Sequence, residues 1–300
     1  MDSSFKRPTK AQQPINIARV LAPFVFFGLL LVLEQSCIPD PLTVNNVPDV
    51  KPQIVVNTFF VPDDSLVVFL TKTFGALEAS DNSDVQEVLD LVTVNDALVT
   101  IEGPSSTDTL LALGNGLYGI VGFQVEEDRQ YRLNIDSESL GEVHGITTAQ
   151  ARVPFDSVVV ERYFNGFDDT LAQVTYTIQD PVERNYYMIN VQRFSLEDPI
   201  EERVLNPTGF TKLLEDNADG REISGTFRAF PRDYEKGDTV VVLLSNISED
   251  YYNFIQLRLD NRFSFVEFVS EPVNYPSNIV GGKGFFNLYI PDIRIFVLED

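Results

Sequence analysis

The sequence has no tryptophan, one cysteine, one histidine and two methionines in 300 residues. A lone cysteine closes no internal disulfide. Cys37 would need a base to act as a nucleophile, and the one histidine, His144, leaves no second soft ligand for a zinc site. Basic residues are also scarce, 22 against 45 acidic, for a net charge of −23. Such a surface repels phosphate backbones and anionic headgroups, which argues against nucleic-acid binding and serves solubility. No apolar run reaches the 20 or so residues a membrane-spanning helix needs; Val20–Leu33 has only 14. No Gly-x-Ser-x-Gly stretch supplies the sharp turn of a serine hydrolase.

What is present at the N-terminus is an export signal. Residues 1–19 are polar and basic, the short apolar run follows, and Ser36 precedes Cys37. Residues 1–36 are therefore expected to be a lipoprotein signal peptide. Cys37 becomes the lipidated first residue of the mature chain, carrying acyl chains of the palmitate type. Glu34 stands where a lipobox usually has leucine. Two or three acyl chains anchor firmly where one is marginal. Without residues 1–36 the chain has 18 basic and 43 acidic residues, a charge of −25. Residues 37–52 hold four prolines and no periodicity, an extended tether.

The remainder, rich in Phe (23) and Tyr (11), reads as strands. Runs at Ile54–Phe60, Leu66–Phe74, Ala97–Glu102, Leu110–Leu113, Leu117–Phe123, Gln130–Ile135 and Thr147–Val153 predict a β-sandwich domain over 53–154. Gly114-Asn115-Gly116 marks a hairpin. A second β-rich domain over 155–300 is predicted from Ser157–Tyr163, Ala172–Ile178, Tyr186–Phe194, Ile223–Phe230, Thr239–Ser245, Phe285–Ile290 and Ile293–Leu298. One helix is expected near Glu249–Leu259, capped by Ser248, with Tyr251, Phe254, Ile255 and Leu259 on one face. The fold class is mainly β: an immunoglobulin-like sandwich followed by a second β-rich domain with one or two short helices.

Four features occur together in order. They are Ser36–Cys37 after the signal, the pair QIVVNTFF and LVVFLTKTF, the stretch YRLNI leading to ITTAQARVP, and FVEFVSEPVNYPSNIVGGKGFFNLY from Phe265 to Tyr289. Together they resemble a Bacteroidota lipoprotein family catalogued as domain of unknown function 4249. The resemblance covers nearly the whole mature chain. It implies an outer-membrane location and a TonB-dependent receptor as partner, and it implies no reaction. Physically, the terminal glycines permit positive φ and close backbone approach, so a structural role is favoured over a ligand loop.

Each candidate for chemistry has a plainer reading beside it. Gly114-x-Gly116-x-x-Gly119 matches a dinucleotide fingerprint but lies between strands, so a hairpin is favoured. Residues 215–220 (EDNADG) resemble a calcium loop, yet Thr226 stands where the bidentate glutamate belongs; a polar hairpin before Ile223 is favoured. The acidic groups Asp63-Asp64, Asp168-Asp169 and Glu126-Glu127-Asp128 fall at turns. His144 is read as a strand residue. Tyr163, Phe164, Phe167, Tyr251 and Tyr252 are candidate binding aromatics if exposed, and core if buried, as are Tyr186 and Tyr187. Five Asp–Ser/Thr–aliphatic triplets place Ser65, Thr109, Ser157, Thr170 and Thr239 where exported Bacteroidota proteins carry O-glycans; the same pattern is turn chemistry at strand starts.

The expectation is a non-enzymatic, lipid-anchored outer-membrane accessory protein. It would work with a TonB-dependent receptor in nutrient capture or gating, on the periplasmic or the exterior face, the exterior being preferred. The alternative is an independent surface module for glycan or protein adhesion. A hydrolase using a carboxylate pair ranks last. No cofactor and no catalytic residue are expected.

Overall fold

In β7 (Gln130–Ser137) every second residue, Tyr131, Leu133, Ile135 and Ser137, is buried. That alternation is what a strand with one face on a core must show. It recurs through a computed structural model that describes residues 51–61, 65–74, 85–167, 169–193, 209–215, 220–229, 233–261 and 275–299. The expected signal peptide, Cys37, most of the expected tether, Asp63, Asp64, Asp168 and residues 216–219 lie outside the described residues.

The protein is mainly β, built as sandwiches. The first comprises β1 (Ile54–Val61), β2 (Ser65–Lys72), β3 (Ala97–Glu102), β4 (Thr107–Thr109), β5 (Leu111–Gly114), β6 (Leu117–Val121), β7 and β8 (Gly141–Thr148), with helix α1 (Val85–Val92) between β2 and β3. The second comprises β9 (Phe155–Phe164), β10 (Thr170–Gln179), β11 (Tyr186–Arg193), β12 (Gly209–Glu215), β13 (Glu222–Ala229), β14 (Thr239–Ile247) and β17 (Asp292–Val297). Its sheets run β13-β10-β9 and β12-β11-β14-β17, the three-plus-four arrangement of an immunoglobulin-like sandwich.

Between β14 and β17 the chain leaves the second sandwich. It forms α2 (Glu249–Asn261), then β15 (Ile279–Val280) and β16 (Lys283–Phe285), which join the first sandwich. β15 pairs with β8, and β16 lies parallel to β1, giving sheets β16-β1-β2-β6-β5 and β15-β8-β7-β3-β4. The first core therefore holds residues from Ile54 to Ala149 together with Ile279, Phe286 and Leu288. The second runs from Val153 to Leu298. A third, aromatic core lies against α2: Tyr186, Met188, Tyr251, Tyr252, Phe254, Phe285 and Tyr289.

The glycine-rich return is built for close contact. Gly284 has φ +95°, and a Cβ there would collide with the Val56 carbonyl oxygen. The Asn278 side chain holds the turn, donating to Phe286 O (2.7 Å) and Ile146 O (3.1 Å) and accepting from Phe286 N (2.8 Å). Asp292, 3% exposed, fastens the chain as it re-enters β17. It accepts from the Phe155 amide (3.0 Å), Arg152 (2.5 Å) and Arg294 (3.0 Å).

The structure corrects several expected elements. Phe285–Ile290 is not a strand beyond Phe285, because the β1–β16 ladder stops at Asn57↔Phe285. Beyond it the Thr58 hydroxyl replaces the backbone partner, exchanging bonds with Asn287 N (3.1 Å) and O (3.0 Å). The strand expected at Thr147–Val153 is instead β8, ending at Thr148. Within β8 a Cβ at Gly145 would press within 2.7 Å of Ile279. The hairpin expected before Ile223 falls on residues 216–219, outside the described residues; of the strands on either side, β12 pairs with β11 and β13 with β10. α1, β4, β12 and β15 had no expected counterpart.

The remaining elements match. The Gly114-Asn115-Gly116 hairpin has φ of 94°, 49° and 75° and joins β5 to β6 through a bulge. α2 starts where Ser248 accepts from Tyr251 N (3.3 Å).

Candidate binding trough at the junction of the two sandwiches

The outward face of β1 has Val55, Asn57 and Phe59 at alternate positions, while Ile54 and Val56 face the first core. β16 puts Lys283 beside Val55 and Phe285 beside Asn57. On β11, Tyr187, Ile189 and Val191 face the second core, so Met188, Asn190 and Gln192 face away from it. α2 carries Tyr251, Phe254, Ile255 and Arg258 at helical spacing along one side.

These outward faces meet in a trough with two limbs. One, about 180 Å³, lies between β1, β11, β12, α2 and Tyr289. The other, about 360 Å³, is lined by Val55, Asn57, Phe254, Arg258, Tyr275, Lys283 and Gly284. Asn57, Phe254 and Arg258 belong to both limbs. The larger volume falls within the range of small-molecule sites, which favour such junctions.

Its chemistry is aromatic and amide with a cationic rim. Phe254 packs on Tyr275 (6.2 Å between centroids) and Phe285 (5.1 Å), and the Arg258 guanidinium lies 5.6 Å from the Phe254 ring centre. Asn190 donates to the Thr211 hydroxyl at 2.9 Å, which orients both. Burial pushes the Tyr251 phenol up to about 12, against the opposing charge of Arg258. Among the described residues no carboxylate, histidine or cysteine lines either limb. The walls thus offer hydrogen bonds, ring faces and positive charge.

Tyr251 and Tyr252, candidate binding aromatics, are buried in the third core, as is Tyr186; Tyr187 is in the second. Phe164 and Phe167 are 60% and 83% exposed at the β9–β10 tip. Asn165 stiffens that tip, accepting from Phe167 N (2.9 Å) and donating to Asp169 (2.8 Å). Tyr163 is half-buried under Arg228, 3.6 Å from its ring centre. The structure does not bring Tyr163, Phe164 or Phe167 to the trough.

Thr109 and Ser157 are exposed, Ser157 sharing a 2.6 Å hydrogen bond with Thr177, while Thr170 and Thr239 are half-buried. Ser65 opens β2, and its side chain lies outside the described residues. Asp238 accepts from Glu235 N (2.9 Å) and pairs with Arg193 (3.1 Å), so that triplet does perform turn chemistry. His144 is in β8 opposite Asn134 and Val280. Glu127 and Asp128 sit in a turn with Asp128 at φ 56°. Among the described residues no cluster of three or more His, Cys, Asp or Glu could hold a metal, and no helix is long and apolar enough to cross a membrane.

The trough residues Asn57, Asn190, Gln192, Arg258 and Lys283 drew no attention in the sequence. Polar residues at outward strand positions read as ordinary solvent faces. The one available signal was Arg258 a helical turn after Phe254.

A family model described as domain of unknown function (DUF4249) matches residues 40–291. No curated protein matches the chain. Among solved structures, a two fibronectin type-III domain segment from chicken tenascin is similar at 9% identity, covering 82% of this chain and 98% of that one, with a TM-score of 0.21. That score is too low to carry any argument.

Proposed function

The chain belongs to the family described as domain of unknown function (DUF4249), and from that premise we propose that it is a lipid-anchored binding protein of the outer membrane that captures a small solute for, or gates, a TonB-dependent receptor. The observation that carries this reading is the junction trough. It has the volume, aromatic walls and fixed polar groups of a ligand site. Its ionisable groups are cations and phenols, which suit recognition better than proton transfer. The basic and apolar leader ending at Ser36–Cys37 supports the anchor.

The test is affinity purification of the native protein from detergent-solubilised membranes, with mass spectrometry of its N-terminus. The expected result is a diacylated Cys37 and a co-purifying outer-membrane receptor in near-stoichiometric amount. A chain that starts at Met1 with a free thiol, or that always purifies alone, overturns the reading.

One observation favours the alternative, a surface adhesion module. Phe164 and Phe167 protrude from a stiffened hairpin tip, and rigid exposed aromatics are typical anchors for a partner. Normal cell adhesion by a strain lacking both rings would remove that alternative.

A further inference from the structure

Arg258 and Lys283 approach the trough from different parts of the chain. Arg258 is on the third turn of α2, and Lys283 is held on the edge strand β16 beside Val55. Both line the larger limb, and no carboxylate lines it among the described residues. The chain has two acidic residues for each basic one. Two cations lining one concave site, with no carboxylate among its described walls, therefore run against the composition, and they set a local positive field.

The rest of the limb specifies the body of a ligand. Val55, Phe254 and Tyr275 supply apolar and ring surface, with Phe254 and Tyr275 edge to face at 6.2 Å. Arg258 is exposed and rests toward the Phe254 ring, so its guanidinium is oriented without an ion pair among the described residues. The half-buried Asn57 amide, at the bend shared by both limbs, adds donors and an acceptor and makes no hydrogen bond among the described residues. β1 is paired on both sides, with β2 and β16, so recognition must come from side chains, not from an open backbone edge.

We infer that the trough takes a small organic anion, its carboxylate or similar acidic group held by Arg258 and Lys283 and its flat apolar body lying against Phe254, Tyr275 and Val55. This rests on the trough being the binding site proposed above. An arginine fork suits a planar carboxylate in two parallel bonds, and Lys283 adds charge without fixed direction. The occupant is identified by charge complementarity: a neutral ligand would leave both cations without a counter-charge among the described residues, and a cation would be repelled.

The experiment uses the full-length protein and two probes matched in shape, naphthoate and naphthamide, with affinities measured by ligand-observed NMR. Wild type is compared with Arg258→Met, Lys283→Met and Asn57→Trp, the last filling the bend. Arg258 and Lys283 are exposed, so their variants should melt with wild type; Asn57→Trp is checked by the same melt.

The expected result is that naphthoate binds wild type roughly five- to tenfold more tightly than naphthamide. Arg258→Met abolishes that preference, Lys283→Met reduces it, and Asn57→Trp abolishes binding of both probes. Equal binding of the two probes, both lost in a folded Asn57→Trp, overturns the anion assignment and leaves the trough as a binding site. Binding that survives in Asn57→Trp, or no binding of either probe to wild type, overturns the anion assignment and the trough reading together. Should Asn57→Trp fail to fold, displacement of the Asn57 and Arg258 backbone resonances by naphthoate reads the same distinction; probe binding that leaves them unmoved overturns both.

Discussion

Replacing Asp292 with alanine should loosen the point where the chain re-enters the second sandwich. Its carboxylate is 3% exposed and accepts from three donors. The Phe155 amide is buried, so losing its acceptor costs about 1–3 kcal/mol. Arg152 and Arg294 are nearly half exposed and regain water, so each lost pairing costs up to about 1 kcal/mol. Together the loss is roughly 1–5 kcal/mol, or about 2–20 °C in Tm for a chain of this size. Asp292→Asn keeps an oxygen for the Phe155 amide and Arg294 but gives up the charge and turns an NH2 donor toward Arg152, so it should cost less than the alanine change without matching wild type. Urea unfolding followed by far-UV circular dichroism, with thermal melts, measures both. An alanine variant within about 0.5 kcal/mol of wild type would refute the argument, as would an asparagine variant no better than alanine.

The other predictions concern the return segment, the third core and the exposed tip. Gly284→Ala combines a positive φ with a collision against Val56, so it should cost roughly 3 kcal/mol or more and reduce the soluble yield; melting and expression check it. Tyr251 titrates near 12 when folded and near 10 when unfolded, so its contribution is complete below pH 10 and is lost as pH rises toward 12. Wild type should thus lose up to about 2–3 kcal/mol relative to Tyr251→Phe across that window, measured by urea unfolding at each pH. Changing both Phe164 and Phe167 to serine should leave stability within about 0.5 kcal/mol, since neither ring is in a core; a larger loss on melting would mean that the tip packs on the body.

The strands were legible because period-2 alternation records burial directly. Ala97–Glu102 matches its expected bounds, and β1, β10, β11 and β14 differ by a residue or two. The α2 cap at Ser248 was legible for a similar reason, since a cap is a local hydrogen bond. β8 was misplaced because Gly141 and Gly145 argue locally against a strand, and the reason for Gly145 is a neighbour 134 residues away, Ile279. Phe285–Ile290 read as a strand because its side chains do alternate: Phe286 and Leu288 enter the first core, Phe285 and Tyr289 the third. The partner of Asn287, a threonine hydroxyl, had no local signature.

Composition and order alone determined the mainly β character, the two successive sets of strands and the exclusion of an internal disulfide. These depend on local propensity, spacing and counting. Only the tertiary structure decided that residues 275–289 turn back to complete the first sandwich, and that this return places Lys283 and Tyr275 opposite Phe254 and Arg258 of α2. The physical reason is that a strand's alternation states which face is buried and not which chain segment covers it. The trough is made from the outward faces of elements distant in sequence, where each residue, taken alone, resembles ordinary surface.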